Sequence, residues 1–145
     1  MASTILRSLT LVPLALLTVS ACASPSGGSD EEPVTVVLVA DSWSDGDSSS
    51  DPVTTRVEAT KGHTVTAKGQ HEDVDVTFTS VSPQEVTLET SDTMAPEGKT
   101  GGINLNDTRT DFTVTAGAPL KFSTPSMDGG TTWVVTIGDA ASPTS

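Results

Sequence analysis

The amino-acid sequence predicts an all-β fold, a small antiparallel β-sandwich. Three observations carry this prediction. Thr and Val, which are β-branched and favour extended backbone, are abundant. Apolar and polar residues alternate in short runs that turn residues separate, as in half-buried strands. No stretch sustains the 3.6-residue period of an amphipathic helix.

Eight segments carry the strand pattern. The clearest alternation places Val74, Val76 and Phe78 on one face of a strand, and the last segment places Trp133 inward, where we expect it in the core. In chain order the predicted strands cover residues 34–39, 53–59, 64–68, 73–79, 85–89, 111–116, 120–123 and 132–137. On this architecture the favoured topology is immunoglobulin-like, and a small barrel is the alternative.

The N-terminal residues have the layout of a secretory signal peptide. Arg7 supplies a positive charge, an apolar run follows it, and small residues lead to Cys22. The apolar run is shorter than the ~20 residues that a membrane-spanning helix needs. We therefore expect residues 1–21 to be a removable export signal.

The residues at the end of this signal resemble the lipobox of bacterial lipoprotein precursors. Val19, Ser20 and Ala21 supply one aliphatic and two small residues, and Cys22 follows. The resemblance covers residues 1–22 only. It implies that Cys22 receives a diacylglyceryl thioether, that a signal peptidase cuts after Ala21, and that the freed amine is acylated. Two acyl chains, at ~0.8 kcal/mol per buried CH₂, hold a protein stably on the outer face of a cell membrane.

Two further features agree with this resemblance. Cys22 is the only cysteine, so an exported chain has no disulfide partner for it, and the disulfide of antibody domains is excluded. The Ala-, Thr-, Gly- and Asp-rich but Lys-poor composition favours a high-GC source such as an actinobacterium.

The rest of the chain divides into three parts. Residues 22–33 are rich in Ser, Gly and Pro and read as a flexible linker, with a relaxed span of roughly 17–20 Å. Residues 34–139 form the predicted β-sandwich domain. Residues 140–145 form a short tail, which we expect to be disordered.

The charge of the chain limits its partners. The formal net charge is −12 at pH 7, and the 7 basic residues form no cluster. Binding to nucleic acid or to anionic lipid surfaces draws on clustered Lys and Arg, so the sequence argues against both. The expected partners are the membrane, through the lipid, and a cell-envelope protein or glycan. We expect a monomer.

An acidic segment runs from Asp41 to Asp51. It offers the alternating oxygen ligands that Ca²⁺ prefers, and the candidate cation ligands are Asp45, Asp47, Ser49 and Asp51. The EF-hand pattern is not met, because counting from Asp45 puts Ser50 in the glycine position and Arg56 in the glutamate position. A solvated loop is the favoured interpretation, and we assign no metal or cofactor.

Trp43 lies within this acidic segment. An exposed Trp would offer a surface for stacking a sugar or gripping a partner, so it is a candidate ligand contact. The favoured interpretation is that it folds back over one end of the sandwich.

No arrangement of residues resembles a catalytic site. Glu72 and Asp73, beside His71, are adjacent along a predicted strand, so we expect their side chains to point to opposite faces. We therefore expect no enzyme. The sequence favours a membrane-anchored extracytoplasmic lipoprotein with a non-catalytic binding or accessory β-sandwich. The alternative is a surface lipoprotein that binds calcium or another cation through the acidic segment.

Overall fold

The computed structural model describes residues 32–44 and 50–138, and these contain strands and turns but no helix. All strand pairings are antiparallel, which confirms the all-β prediction. The strands are β1 (Val34–Ser44), β2 (Val53–Ala59), β3 (Thr64–Ala67), β4 (Val74–Val81), β5 (Glu85–Pro96), β6 (Arg109–Thr115), β7 (Leu120–Ser123) and β8 (Gly129–Ile137).

The strands form one continuous sheet that folds into two layers. The first layer has the order β2-β1-β8-β7, and the second contains β3, β4, β5 and β6. Strand β5 joins them: residues 85–89 pair with β6 in the second layer, whereas Ala95 and Pro96 pair with β7 in the first. Because the pairing register of β5 shifts between Glu89 and Met94, the strand can bend from one layer to the other.

The strand order differs from that of an immunoglobulin domain, whose sheets contain strands ABED and CFG. Here β3 to β6 follow one another within one layer, and the first and last strands pair at the centre of the other. Strands β3 to β6 are neighbours in sequence order because their connections are short, such as residues 82–84. A short connection returns the chain beside the strand that it has just left.

The core lies between the two layers and is rich in valine. Alternate residues of each strand point into it, as the two-residue period predicted. Trp133 is fully buried, as expected, and its ring stacks on Phe122 at a centroid distance of 5.8 Å. Phe122 in turn stacks on Phe112 at 4.8 Å. These three stacked rings and the ring of Phe78, which is also fully buried, form the aromatic part of the core.

The two ends of the sandwich differ. The chain enters at Val34, beside the turn at residues 60–63, and we call this the entry end. Strand β1 then runs for 11 residues to Ser44. At the other end, which we call the far end, Ser44 lies near the connections at residues 68–73 and 124–128.

Candidate binding cleft at the far end

A cleft of about 290 Å³ opens at the far end of the sandwich. Four parts of the chain line it: the connection before β4, the bend of β5, the connection between β7 and β8, and β8 itself. The lining residues are Glu72, Asp73, Asp92, Thr93, Met94, Thr124, Pro125 and Trp133. The cleft thus combines three carboxylates with apolar walls.

A close approach between Gly69 and the carbonyl group of Glu72 shapes the connection before β4, which lines one side of the cleft. A Cβ atom at this position would overlap the carbonyl oxygen of Glu72 and would lie 3.3 Å from Cγ2 of Thr131. Only glycine therefore allows the chain to turn this tightly between β3 and β4. The turn brings both Glu72 and Asp73 to the cleft.

Asp73 is held in place by two donors. Lys68 Nζ donates a hydrogen bond of 2.6 Å to Oδ2, and the backbone N–H of Gly69 donates one of 3.3 Å to Oδ1. The Lys68 hydrogen bond, followed by the Gly69 N–H, lowers the pKa of Asp73 below its ordinary value of 3.8. The carboxylate therefore stays ionised at any pH at which the protein is expected to work.

We predict that an NMR titration of the Asp73 carboxyl will give a midpoint below 3.8, and that Lys68→Met will raise it. Because the folded-state pKa is depressed, the stabilising contribution is present above the unfolded-state pKa and is lost as the pH falls through the folded value. Lys121→Met is the matched control, since Lys121 pairs with Glu97 and not with Asp73. An Asp73 midpoint that does not move in Lys68→Met would contradict the assignment.

Asp92 reaches the cleft from the irregular part of β5. Its Oδ2 accepts a hydrogen bond of 2.9 Å from Ser91 Oγ, and its backbone carbonyl accepts one of 2.7 Å from Thr90 Oγ1. Thr90 is buried, and its single hydroxyl proton is shared with the carbonyl of Thr110, which lies 3.1 Å from Oγ1. These bonds fix the bend, so that Asp92 and Met94 both line the cleft.

The core beneath the cleft contains a polar atom without a partner among the described residues. Trp133 lines the cleft and is completely buried, yet its Nε1 has no hydrogen-bond partner among the described residues. The hydroxyl groups of Ser42 and Thr131, which face each other across β1 and β8, are buried and unpartnered in the same part of the structure. Buried donors normally find an acceptor, so this indole N–H is an unusual feature.

The connection between β7 and β8 carries an exposed apolar side chain. Met127 lies on the connection between β7 and β8, next to the lining residue Pro125, and is 77% exposed. It is the most exposed large apolar residue of the described chain. Methionine at such a position is typical of surfaces that adapt to a partner.

Trp43 does not lie in a loop, because Asp41 to Ser44 continue β1. The extension follows from pairing with β8, where Trp43 lies opposite Gly130. A Cβ atom at Gly130 would lie 3.4 Å from Cζ2 of Trp43, so the missing side chain makes room for the indole. Trp43 is half-buried on the outer face of its layer, not folded over the end of the sandwich, and its contact with a ligand stays a prediction.

The other predicted site residues are only partly covered by the structure. Those outside the described residues are Val19, Ser20, Ala21, Cys22, Asp45, Asp47 and Ser49. Asp51 is exposed, and its backbone carbonyl accepts a hydrogen bond of 2.5 Å from Gln70 Nε2. In residues 32–44 and 50–138, no three His, Cys, Asp or Glu side chains are grouped to hold a metal ion. Cation binding by the acidic segment stays a prediction.

Sequence reasoning missed the cleft. It placed Glu72 and Asp73 along a strand with their side chains on opposite faces, which is wrong because β4 begins at Val74 and both line the cleft. Asp92 was missed because the alternating pattern of β5 ends at Leu88, and nothing in the sequence shows that the strand bends towards this end. The polar residues 89–93, which interrupt the apolar pattern, are the signal that could have indicated the bend.

A second cavity, of about 190 Å³, lies on the outer face of the first layer. Ile103 and Lys121 are among its lining residues, and Lys121 Nζ is 3.3 Å from Oε1 of Glu97. Because Lys121 and Glu97 already pair with each other, this cavity offers a charged ligand fewer free charges than the far-end cleft does.

Comparison with protein-family models, curated proteins and solved structures gives no match to this chain. Within the residues that the structure describes, no helix has the length and apolar character required to cross a membrane.

Proposed function

We propose that the protein is an exported lipoprotein, held on the outer face of the cell membrane by lipid on Cys22. Its β-sandwich domain is a non-catalytic binding module that presents the far-end cleft away from the membrane. The observation that carries this proposal is the position of the cleft at the end of the domain opposite to the point where the chain enters.

The path of β1 supports this orientation. The strand starts at Val34, directly after the predicted linker, and its 11 residues span about 33 Å at ~3.3 Å per step. The chain also leaves at the entry end, where the N–H of Gly138 donates a hydrogen bond of 2.8 Å to the carbonyl of Thr35. A tether attached at Val34 therefore keeps the entry end near the lipid and the cleft distant from it.

The composition of the cleft supports binding rather than catalysis. Its lining residues include carboxylates, threonines and apolar groups, but no His, Cys or Ser. The strong negative charge of the chain also supports a domain that stands away from anionic headgroups.

The orientation is tested by energy transfer to a membrane. Because Cys22 is the only cysteine and would be lipidated, a cysteine introduced elsewhere is the only free thiol. Protein purified from bacterial membranes as Lys61→Cys or Asp128→Cys is labelled with a donor dye and placed in vesicles that carry acceptor dye on their headgroups. We expect stronger transfer from position 61, at the entry end, than from position 128, at the far end.

Two controls separate the parts of this proposal. Radiolabelled palmitate should enter the wild-type chain but not the Cys22→Ser precursor. The chain 22–145 with Cys22→Ser should not float with vesicles. Palmitate in the Cys22→Ser precursor would refute the anchor. Equal or reversed transfer from positions 61 and 128 would refute the orientation.

A further inference from the structure

We infer that the outer face of the first layer binds a neutral oligosaccharide, along a strip that runs from Trp43 to the second cavity. This outer strip consists of residues of β1, β7 and β8 that point away from the core: Asp41, Trp43, Lys121, Ser123, Thr132 and Val134. The site is separate from the far-end cleft, so the inference goes beyond the proposed function.

The strand register places the polar residues of the outer strip in one row. Asp41 lies opposite Thr132 in the pairing of β1 with β8, and Thr132 lies opposite Ser123 in the pairing of β8 with β7. Three strands that lie ~4.8 Å apart give this row a length of about 10 Å. The row is long enough to follow two linked sugar rings.

The polar groups of the row offer both acceptors and a donor. Asp41 is exposed and pairs with no other described residue, so its carboxylate is free to accept hydrogen bonds from hydroxyl groups. Ser123 Oγ and Thr132 Oγ1 lie 2.7 Å apart, and this hydrogen bond uses only one of their two protons. Since both residues line the second cavity, the other proton can be donated to a ligand there.

Apolar surface lies beside this row. Trp43 is half-buried, and its indole lies over β8, because Cζ2 would be 3.4 Å from a Cβ atom at Gly130. On the other side of the row, Val134 lies opposite Val39, and both are half-buried. A sugar ring has an apolar C–H face and a rim of hydroxyl groups. Aromatic and aliphatic surface next to fixed polar groups matches both parts of such a ring.

The charges of this face favour a neutral ligand. Lys121 and Glu97 lie 3.3 Å apart at the second cavity, so their charges offset each other. The net charge of −12 repels an anionic polymer. The volume of the cavity is about 190 Å³, which is below the ~300 Å³ of pockets for drug-sized molecules and leaves room for one ring.

The exposure of the apolar residues favours a saccharide over a protein partner. Protein interfaces bury ~800 Å² on each side and depend on apolar anchors that reach into the partner. Among the described residues, the exposed large apolar side chains are Leu105 and Met127, and neither belongs to the outer strip. Trp43 and Val134 lie low on the sheet, as stacking by a flat ring requires.

The test uses the full-length protein, purified from bacterial membranes in a detergent that has no sugar headgroup. The probes are cellotetraose, maltotetraose, chitotetraose and an α-linked mannotetraose. NMR follows the indole N–H of Trp43 and the backbone N–H groups of Asp41 and Thr132. We expect saturable shifts at these positions with at least one tetrasaccharide. The affinity should change less than ~3-fold between low and high salt, because a neutral ligand is not screened.

Variants at Trp43 test the stacking surface. Trp43→Leu should weaken binding ~10-fold or more, since it removes the flat ring, whereas Trp43→Phe keeps a ring and should retain most of the affinity. Leu105→Ala is the control, because it removes an exposed apolar side chain that lies outside the outer strip. Binding by Trp43→Leu that equals that of the wild type would overturn the inference.

Asp41→Asn tests the polar row at an exposed position, where the substitution does not disturb the core. It should weaken binding ~5-fold or more, since it removes a charge-assisted acceptor. Asp111→Asn makes the same change at an exposed position of the second layer and should bind as wild type does. Equal loss in Asp41→Asn and Asp111→Asn would mean a general effect of charge and would overturn the inference.

Three further outcomes would overturn it: no saturable shift with any of the four tetrasaccharides, loss of affinity at high salt, or shifts at Gly69 and Asp92 instead of at the outer strip. These outcomes leave the proposed function unaffected, because the anchor and the orientation are tested by palmitate and by energy transfer. If the transfer order is reversed but the tetrasaccharides bind, the orientation is wrong and the saccharide site stands.

Discussion

Trp133→Ala should lower the free energy of unfolding by about 3–5 kcal/mol. Trp133 is the largest fully buried side chain, and its ring stacks on Phe122 at the centre of the aromatic part of the core. Truncation removes this contact and leaves a cavity that the pairing of β8 with both β1 and β7 prevents from closing. Since a domain has a total stability of only ~5–15 kcal/mol, this loss is a large fraction of the total.

The measurement is thermal unfolding followed by circular dichroism, in which we expect the midpoint to fall by more than about 10 °C. The matched control is Val134→Ala on the same strand. Val134 is half-buried on the outer face, so its truncation should lower the free energy of unfolding by less than ~1 kcal/mol. Similar losses in both variants would show that the aromatic stack is not the centre of the core.

The second large effect is expected from Gly69→Ala, which should lower the free energy of unfolding by about 1–3 kcal/mol. The added Cβ would overlap the backbone carbonyl of Glu72. The connection cannot relieve this overlap by rotating a side chain, because the atom belongs to the backbone. The segment must open, which displaces the carboxylates of Glu72 and Asp73 from the cleft.

Denaturant unfolding measures the loss of stability, and the NMR signals of the Glu72 and Asp73 side chains measure the displacement of the cleft wall, where we expect clear shifts. Gly98→Ala is the control, because position 98 lies away from the cleft. The nearest atom to a Cβ at Gly98 would be the carbonyl oxygen of Gly101, at 3.3 Å. A Gly69→Ala variant that is as stable as wild type, with unchanged Glu72 and Asp73 signals, would contradict the role given to this close approach.

The strands could be predicted from the sequence because alternation records burial directly. Val74, Val76 and Phe78 alternate with polar residues and are all buried, and Trp133 occupies the core position that its strand face predicted. Each of the eight predicted segments corresponds to a strand. Whether a side chain points inward or outward is set by its position within its own strand. A short window of sequence is therefore enough to predict which face is buried.

The strand order and the cleft could not be predicted in this way, because both depend on contacts between distant parts of the chain. The extension of β1 through Trp43 arises from pairing with Gly130, and the bend of β5 arises where it leaves β4 and β6 for β7. The cleft is formed where this bend meets residues 68–73 and 124–128. None of these long-range contacts produces a periodic pattern in the sequence.

The placement of β1 has a mechanical consequence. The strand is held on one side by β2 and on the other by β8, and it runs from the linker towards the cleft. A force applied between residue 34 and the far end would act along the strand, parallel to its neighbours. Such a force would load the cross-strand hydrogen bonds of β1 together instead of opening them one after another.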